Sequence, residues 1–217
     1  MNYGVNDIER WKFEDVDMPQ HWIEHLGEIP HPFRMYVSGE GGHGKTEYLM
    51  QLSKMFANHL GKVHLNNLEQ GKHKSIQQSW ARNNFKGEVP AGKWMYGKGL
   101  TKWEDYLAYL TKRNSCQIAI IDSISYWELT YAQLKHLFKT FPNKSFITVG
   151  YGAHWGAHRA IRHLHDTKVK VENFEAIVLS RYGGMKPHII FQEGYDKARR
   201  RISPSRGSGG TQKSIFD

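Results

Sequence analysis

The chain has 217 residues and a mass of 25.2 kDa, enough for one well-buried domain and short for two. A hydrophobic content of 39% supports a globular core, no apolar run reaches membrane-span length, and the polar start MNYGVNDIERWKFEDVD lacks the apolar centre of a signal peptide. The single cysteine, Cys116, leaves no intramolecular disulfide, so a cytoplasmic protein without a membrane partner is expected, with a formal net charge of +9.

Residues 1–32 precede the first core strand and read as an N-terminal arm or cap. FRMYVS (33–38) is a buried strand, and KTEYLMQLSKMFANHLG (45–61) a helix closed by Gly61. KVHLNN (62–67) follows as strand, KSIQQSWARNNF (74–85) as helix and GKWMYG (92–97) as a short strand. TKWEDYLAYLTKRN (101–114) is an amphipathic helix with Thr101 as its candidate N-cap. QIAIID (117–122) is a continuous apolar strand, TYAQLKHLFKTFP (130–142) a helix stopped by Pro142, and SFITVG (145–150) the next buried strand. A helix around AHRAIRHLH is followed by TKVKVE, EAIVLSR and PHIIFQ, which read as a terminal antiparallel group. The last stretch, 197–217, carries six Lys or Arg and one Asp, +5 of the total charge, and reads as a flexible basic tail. Such a tail suits a polyanion or is merely solvated.

Strands alternating with helices, the strands apolar throughout, predict an α/β fold with a mostly parallel sheet covered on both faces. The expected organisation is an arm or cap at 1–32, a single core domain at 33–196 and the tail at 197–217.

Gly39, Gly44, Lys45 and Thr46 in GEGGHGKT fit G-x-x-x-x-G-K-[ST], between a strand and a helix. Glycines let backbone N–H groups turn inward around phosphate oxygens, and the helix N-terminus adds partial positive charge. The cradle therefore runs through Gly39, Glu40, Gly41, Gly42, His43, Gly44, Lys45, Thr46 and Glu47, with ATP as the expected ligand. Lys45 reaches the terminal phosphates, and the Thr46 hydroxyl holds Mg²⁺. Asp122, closing the apolar strand CQIAIID, supplies the second metal-side oxygen. Ser123 follows it, not Glu, so the hydrolytic base must lie elsewhere; Glu69, just past the strand behind the phosphate-loop helix, is the candidate, a solvated loop residue the alternative.

These features resemble the RecA-like ATPases, above all the RadA and DnaB-type helicase branch, over roughly residues 33–192. ITVGYGAHWG (147–156) is similar to that branch's V-G-H-x-x-K-x-G, with Tyr151 and His154 at the His and Lys positions. AIRHLHDTKVKV (160–171) resembles its helix ending in H-x-x-D, and VLSRYGG (178–184) its K-N-R-F-G segment. The resemblance implies a RecA-like core with Glu69 as water-activating base, and Arg181 as an arginine finger reaching a neighbouring subunit's nucleotide. Leu179 stands where the family has a second cation, and His154 where it has Lys.

The resemblance also implies a homo-oligomeric ring, hexamers included, or a filament acting on DNA, with the loop after 150 facing the axis. His154, Trp155, His158, Arg159 and Arg162 are then the candidate contacts to single-stranded DNA, aromatic and cationic together. Trp155 in a subunit interface is the alternative. His158 and His163 are five apart, off the i, i+4 spacing of helical zinc ligands, and no cysteine joins them. The expected function is a Mg²⁺-dependent ATPase in replication, recombination or repair. A nucleotide-gated DNA-binding or loader protein and a P-loop small-molecule kinase are the rivals.

Overall fold

The computed structural model describes residues 2–97, 99–151 and 157–202, without the side chains of 157, 158 and 202. Ile118–Asp122 and Ser145–Gly150 are buried at every position, and no water-facing side alternates with them. Strands of that kind need cover on both faces, which parallel sheets receive from crossover helices. Six of the strands run parallel here, with helices on either side.

From the N-terminus the elements are α1 (Val5–Glu9), β1 (Glu14–Asp15), α2 (Gln20–Leu26), β2 (Pro30–His31), β3 (Arg34–Ser38), α3 (Lys45–His59), β4 (Val63–Asn67), α4 (Lys74–Arg82) and α5 (Phe85–Glu88). There follow β5 (Trp94–Gly97), α6 (Trp103–Thr111), β6 (Ile118–Asp122), α7 (Tyr131–Thr140), β7 (Ser145–Gly150), α8 (Ala157–His163), β8 (Thr167–Glu172), β9 (Glu175–Ser180), β10 (His188–Ile189) and α9 (Gln192–Ile202). Eight strands form one sheet in the order β10-β9-β8-β3-β7-β6-β4-β5. From β8 to β5 all neighbours pair in parallel, whereas β9 and β10 close one edge antiparallel. The expected α/β architecture with a terminal antiparallel group is the one found.

Side chains of successive strand residues point to opposite faces, and the two cores follow that rule. Met35, Val37, Leu65, Ile120, Ile147 and Val149 join α2, α3 and α4 in one layer. Tyr36, Ala119, Ile121 and Phe146 join α6, α7 and α8 in the other. Truncating a central residue such as the fully buried Ile120 to Ala costs about 2–5 kcal/mol. No described helix is long and apolar enough to cross a membrane.

Local signals set most boundaries. Thr130 caps α7 by accepting from the Gln133 N–H at 3.2 Å, while the Gln133 side chain accepts from the Thr130 N–H at 3.0 Å, a reciprocal capping box. Thr101 does not cap α6: its carbonyl accepts from the Trp127 indole, and the helix starts at Trp103 behind Lys102. The expected helix over 74–85 breaks at Asn84, which adopts φ 51° and starts α5.

The described parts of both ends are more ordered than composition alone suggests. The segment 1–32 is an arm only at its start, where α1 buries no residue. Val16, Met18, Trp22, Leu26 and Ile29 belong to the main core, and backbone N–H groups of Met185 and Lys186 bond to the His25 and Glu24 carbonyls at 3.0 and 2.9 Å. At the other end, PHIIFQ yields only a two-residue strand, and α9 continues through the basic run to Ile202. Bonds between Gln192 and Asp196 and between Lys197 and Glu193 (2.9 and 2.5 Å) are i, i+4 support for that helix. The remainder of the tail, 203–217, lies outside the described residues.

Candidate functional site

Parallel registers pair Ser38 with Gly150, Asn67 with Asp122, and Asp122 with Val149. The carboxyl ends of β3, β7, β6 and β4 therefore share one edge of the sheet, where ligands bind in open α/β folds. The loop 39–44 leaves β3 there and opens directly into α3. Gly44 takes φ 99° at the helix N-cap, a left-handed conformation that favours glycine. Gly39 lies so close to β8 that a Cβ would sit 2.2 Å from the Val171 carbonyl oxygen. Behind this loop, α3 contributes the orphan N–H groups and partial positive charge of its first turn.

The side chains of the loop have distinct engagements. Lys45 Nζ donates to the carbonyls of Gly39 and Glu40 at 2.7 and 2.8 Å. It also lies 5.5 Å from the centroid of the Tyr151 ring. Burial lowers its pKa, opposed by the charges of Asp122, Glu69 and Glu40. His43 faces the β8–β9 turn, its Nδ1 accepting from the Asn173 N–H at 3.1 Å. The Glu47 carboxylate accepts from Ser79 Oγ, Arg82 and Asn83 at 2.6, 2.5 and 2.7 Å. That carboxylate ties α3 to α4 and is not turned to the loop.

Lys45, Thr46, Glu69 and Asp122 line a single cleft of about 300 Å³. Thr46 Oγ1 accepts from the Gln70 amide at 3.4 Å, and the Asn67 amide donates to Asp122 Oδ2 at 3.2 Å. Asn67 Oδ1 in turn accepts from the Gln70 N–H at 2.8 Å, fixing the turn that carries Glu69. Asp122 is 6% exposed. Burial pushes its pKa up to about 7, the neighbouring Glu69 charge adds to this, and Lys45 opposes it. A desolvated carboxylate with a second one at the cleft mouth accommodates a divalent cation better than it accommodates that neighbour's charge. Thr46 and Asp122 are the hard oxygen donors that Mg²⁺ takes alongside waters and substrate phosphates, so these residues fit that ion.

Glu69 itself is exposed, and its Oε1 accepts from the Tyr151 hydroxyl at 3.0 Å. Tyr151 sits just past the end of β7 and spans from Lys45 to Glu69, keeping the carboxylate oriented at the cleft mouth. That bond is the largest cause of the raised Tyr151 pKa.

Arg181 is elsewhere. β9 runs antiparallel to β8, from Glu175 at the phosphate-loop edge to Ser180 opposite Thr167. Six residues at about 3.3 Å each put its end about 20 Å from the turn. There Arg181 pairs with Asp166 at 3.1 Å, its side chain 68% exposed, and it does not line the cleft of its own chain.

Of the five candidate DNA contacts, His154 and Trp155 lie outside the described residues, as does the His158 side chain. Arg159 and Arg162 on α8 line a second cleft, of about 450 Å³, with His163, Lys168 and Leu179. Sequence reasoning missed Gln70, Ser75, Ser79, Arg82 and Phe174 at the first cleft. Ser79 and Arg82 are three apart on one helix face, a spacing visible beforehand; Phe174 had no comparable signal.

No family model and no curated protein matches the sequence. Among solved structures, the flagellar accessory protein FlaH from Methanocaldococcus jannaschii aligns with TM-score 0.60 and 16% identity, over 82% of this chain and 100% of that one. A prototypical ATPase from the type III secretion system of pathogenic bacteria aligns with TM-score 0.49 and 9% identity, over 91% of this chain and 70% of that one. The strand order, the phosphate loop entering α3 and the first of these likenesses together make this a RecA-like P-loop fold.

Proposed function

We propose that the chain is a Mg²⁺-dependent ATPase of the RadA and DnaB-like branch that acts on DNA as a homo-oligomeric ring or filament. The observation that carries this reading is the convergence of Lys45, Thr46, Asp122 and Glu69 on one cleft at the carboxyl edge of the sheet. On binding ATP, Lys45 exchanges the Gly39 and Glu40 carbonyls for phosphate oxygens, while the loop N–H groups hold the rest of the triphosphate. Thr46 and Asp122 would hold Mg²⁺, which would supply charge neutralisation at the triphosphate. Glu69, oriented by Tyr151, takes a proton from the attacking water as its oxygen bonds to the γ-phosphorus and the bond to ADP breaks.

Among the described residues of one chain, Arg82 is the arginine that lines this cleft. Arg82 is engaged by Glu47, and Arg181 stands at the far end of β9. Charge stabilisation by Arg181 therefore comes from a neighbouring copy, where such a finger is worth roughly 10³–10⁵ in rate. The same distance supports the second reading, in which an isolated chain is a nucleotide-gated binder and turnover needs assembly. For DNA, support comes from the cations Arg159, Arg162 and Lys168 along one cleft and from Trp155 shortly before them in the sequence. ATP hydrolysis measured with and without single-stranded DNA tests the proposal. Stimulation by DNA that Lys45→Ala abolishes supports it; turnover indifferent to DNA removes the nucleic-acid part, and turnover surviving Lys45→Ala removes the cleft.

A further inference from the structure

β8 and β9 are joined by a two-residue turn. Glu172 pairs with Glu175, which leaves Asn173 and Phe174 at φ 52° and 62°. Positive φ at both central residues is the type I′ geometry that suits the twist of a hairpin, and Asn-Gly is its preferred filling. Asn173 conforms. Phe174 is a bulky residue where glycine belongs, a backbone outlier of the sort that points to a task.

The surroundings are built to hold it. The Phe174 N–H donates to the His43 carbonyl at 3.1 Å, and its carbonyl accepts from the Ile190 N–H at 2.9 Å. The neighbouring Asn173 N–H donates to His43 Nδ1. Glycines make room for the ring on two sides: a Cβ on Gly44 would come within 3.0 Å of it, and one on Gly194 within 2.8 Å. Phe191 meets it edge-on at 6.2 Å between centroids. The ring is half-buried and lines the nucleotide cleft beside the phosphate loop. Every other described residue lining that cleft is glycine or polar.

We infer that Phe174 is the platform for the base of the bound nucleotide, an aromatic surface on which the heterocycle stacks. This rests on the proposed nucleotide site and extends it from phosphate to base. Gly44 is where the loop becomes helix, so phosphates held on the loop N–H groups leave the nucleoside within reach of a ring that touches Gly44. Phe174 is the one aromatic among the described residues lining the cleft, while Tyr151 at its mouth is taken up by Lys45 and Glu69. A stacking platform binds all nucleobases and favours the larger purines, because stacking scales with ring overlap.

Calorimetric titration of the full chain with ATP, UTP and inorganic tripolyphosphate, each with Mg²⁺, tests the inference. Phe174→Gly suits the left-handed turn and removes the ring; Phe174→Leu keeps apolar bulk without a π-face. Both variants should lose about tenfold in ATP affinity, lose most of the preference of ATP over UTP, and bind tripolyphosphate as the parent does. Equal losses for ATP and tripolyphosphate would overturn the inference, assigning Phe174 to packing of the loop, as would unchanged ATP binding in both variants. A parent chain that binds neither ATP nor tripolyphosphate would overturn the nucleotide site itself, and the platform with it.

Discussion

Asp122→Asn isolates the electrostatic cost of the buried carboxylate that closes β6. Burial in the folded chain pushes the Asp122 pKa from 3.8 up to about 7, a linkage on the order of 4 kcal/mol. Below about pH 4 the carboxyl is protonated in folded and unfolded chains alike and costs nothing. As the pH rises towards 7, the unfolded chain releases its proton while the folded chain retains it, so stability falls; above about 7 the loss is complete. Asn has no proton to release and keeps an oxygen for the Asn67 amide. In nucleotide-free protein, Asp122→Asn should therefore match the parent at pH 4 and exceed its unfolding free energy by several kcal/mol at pH 8. Urea unfolding of both proteins across that range, without Mg²⁺, reads the difference directly. A gap that does not change with pH, or a less stable variant at pH 8, would refute the buried-carboxylate account.

The neighbouring-subunit role proposed for Arg181 predicts that Arg181→Ala binds ATP normally and loses turnover. Mixing it with Glu69→Gln should restore part of the rate, because intact copies of both residues can then meet at some boundaries; no recovery in mixed assemblies counts against it. The α9 cations predict that replacing Arg199, Arg200 and Arg201 with Gln lowers the slope of log binding constant against log salt for single-stranded DNA by about 2, at roughly 0.7 per phosphate contact. An unchanged slope would remove α9 from the interface. Trp155→Ala with Arg159→Ala should preserve salt-sensitive DNA binding yet abolish DNA stimulation of hydrolysis at saturating DNA.

The central sheet was legible because its signals are local and redundant. Ile118–Ile121 and Phe146–Val149 are unbroken apolar runs, and the spacing of Gly39, Gly44, Lys45 and Thr46 ties one strand to one helix. Asp122 follows from its place at a strand end. What lay beyond reach depends on distant partners. Val16, Met18, Trp22 and Leu26 stand in polar surroundings, and the segment 182–186 against which α2 settles is far along the chain. The basic run 197–201 has the composition of a solvated tail, and its helix rests on single pairs such as Glu193 with Lys197. The remoteness of Arg181 from its own cleft follows only from the direction of β9. Phe174 acts through a turn whose geometry its sequence disfavours, so propensity pointed away from it.

The most direct test is Glu69→Gln, with nucleotide binding and phosphate release measured on the same preparation. Bound ATP should remain within about twofold of the parent, since Glu69 only borders the phosphate cradle, while hydrolysis should fall by roughly 10²–10⁴, the range expected for loss of a general base. Turnover at the parent rate in Glu69→Gln would contradict the account of this cleft as the site where water is activated.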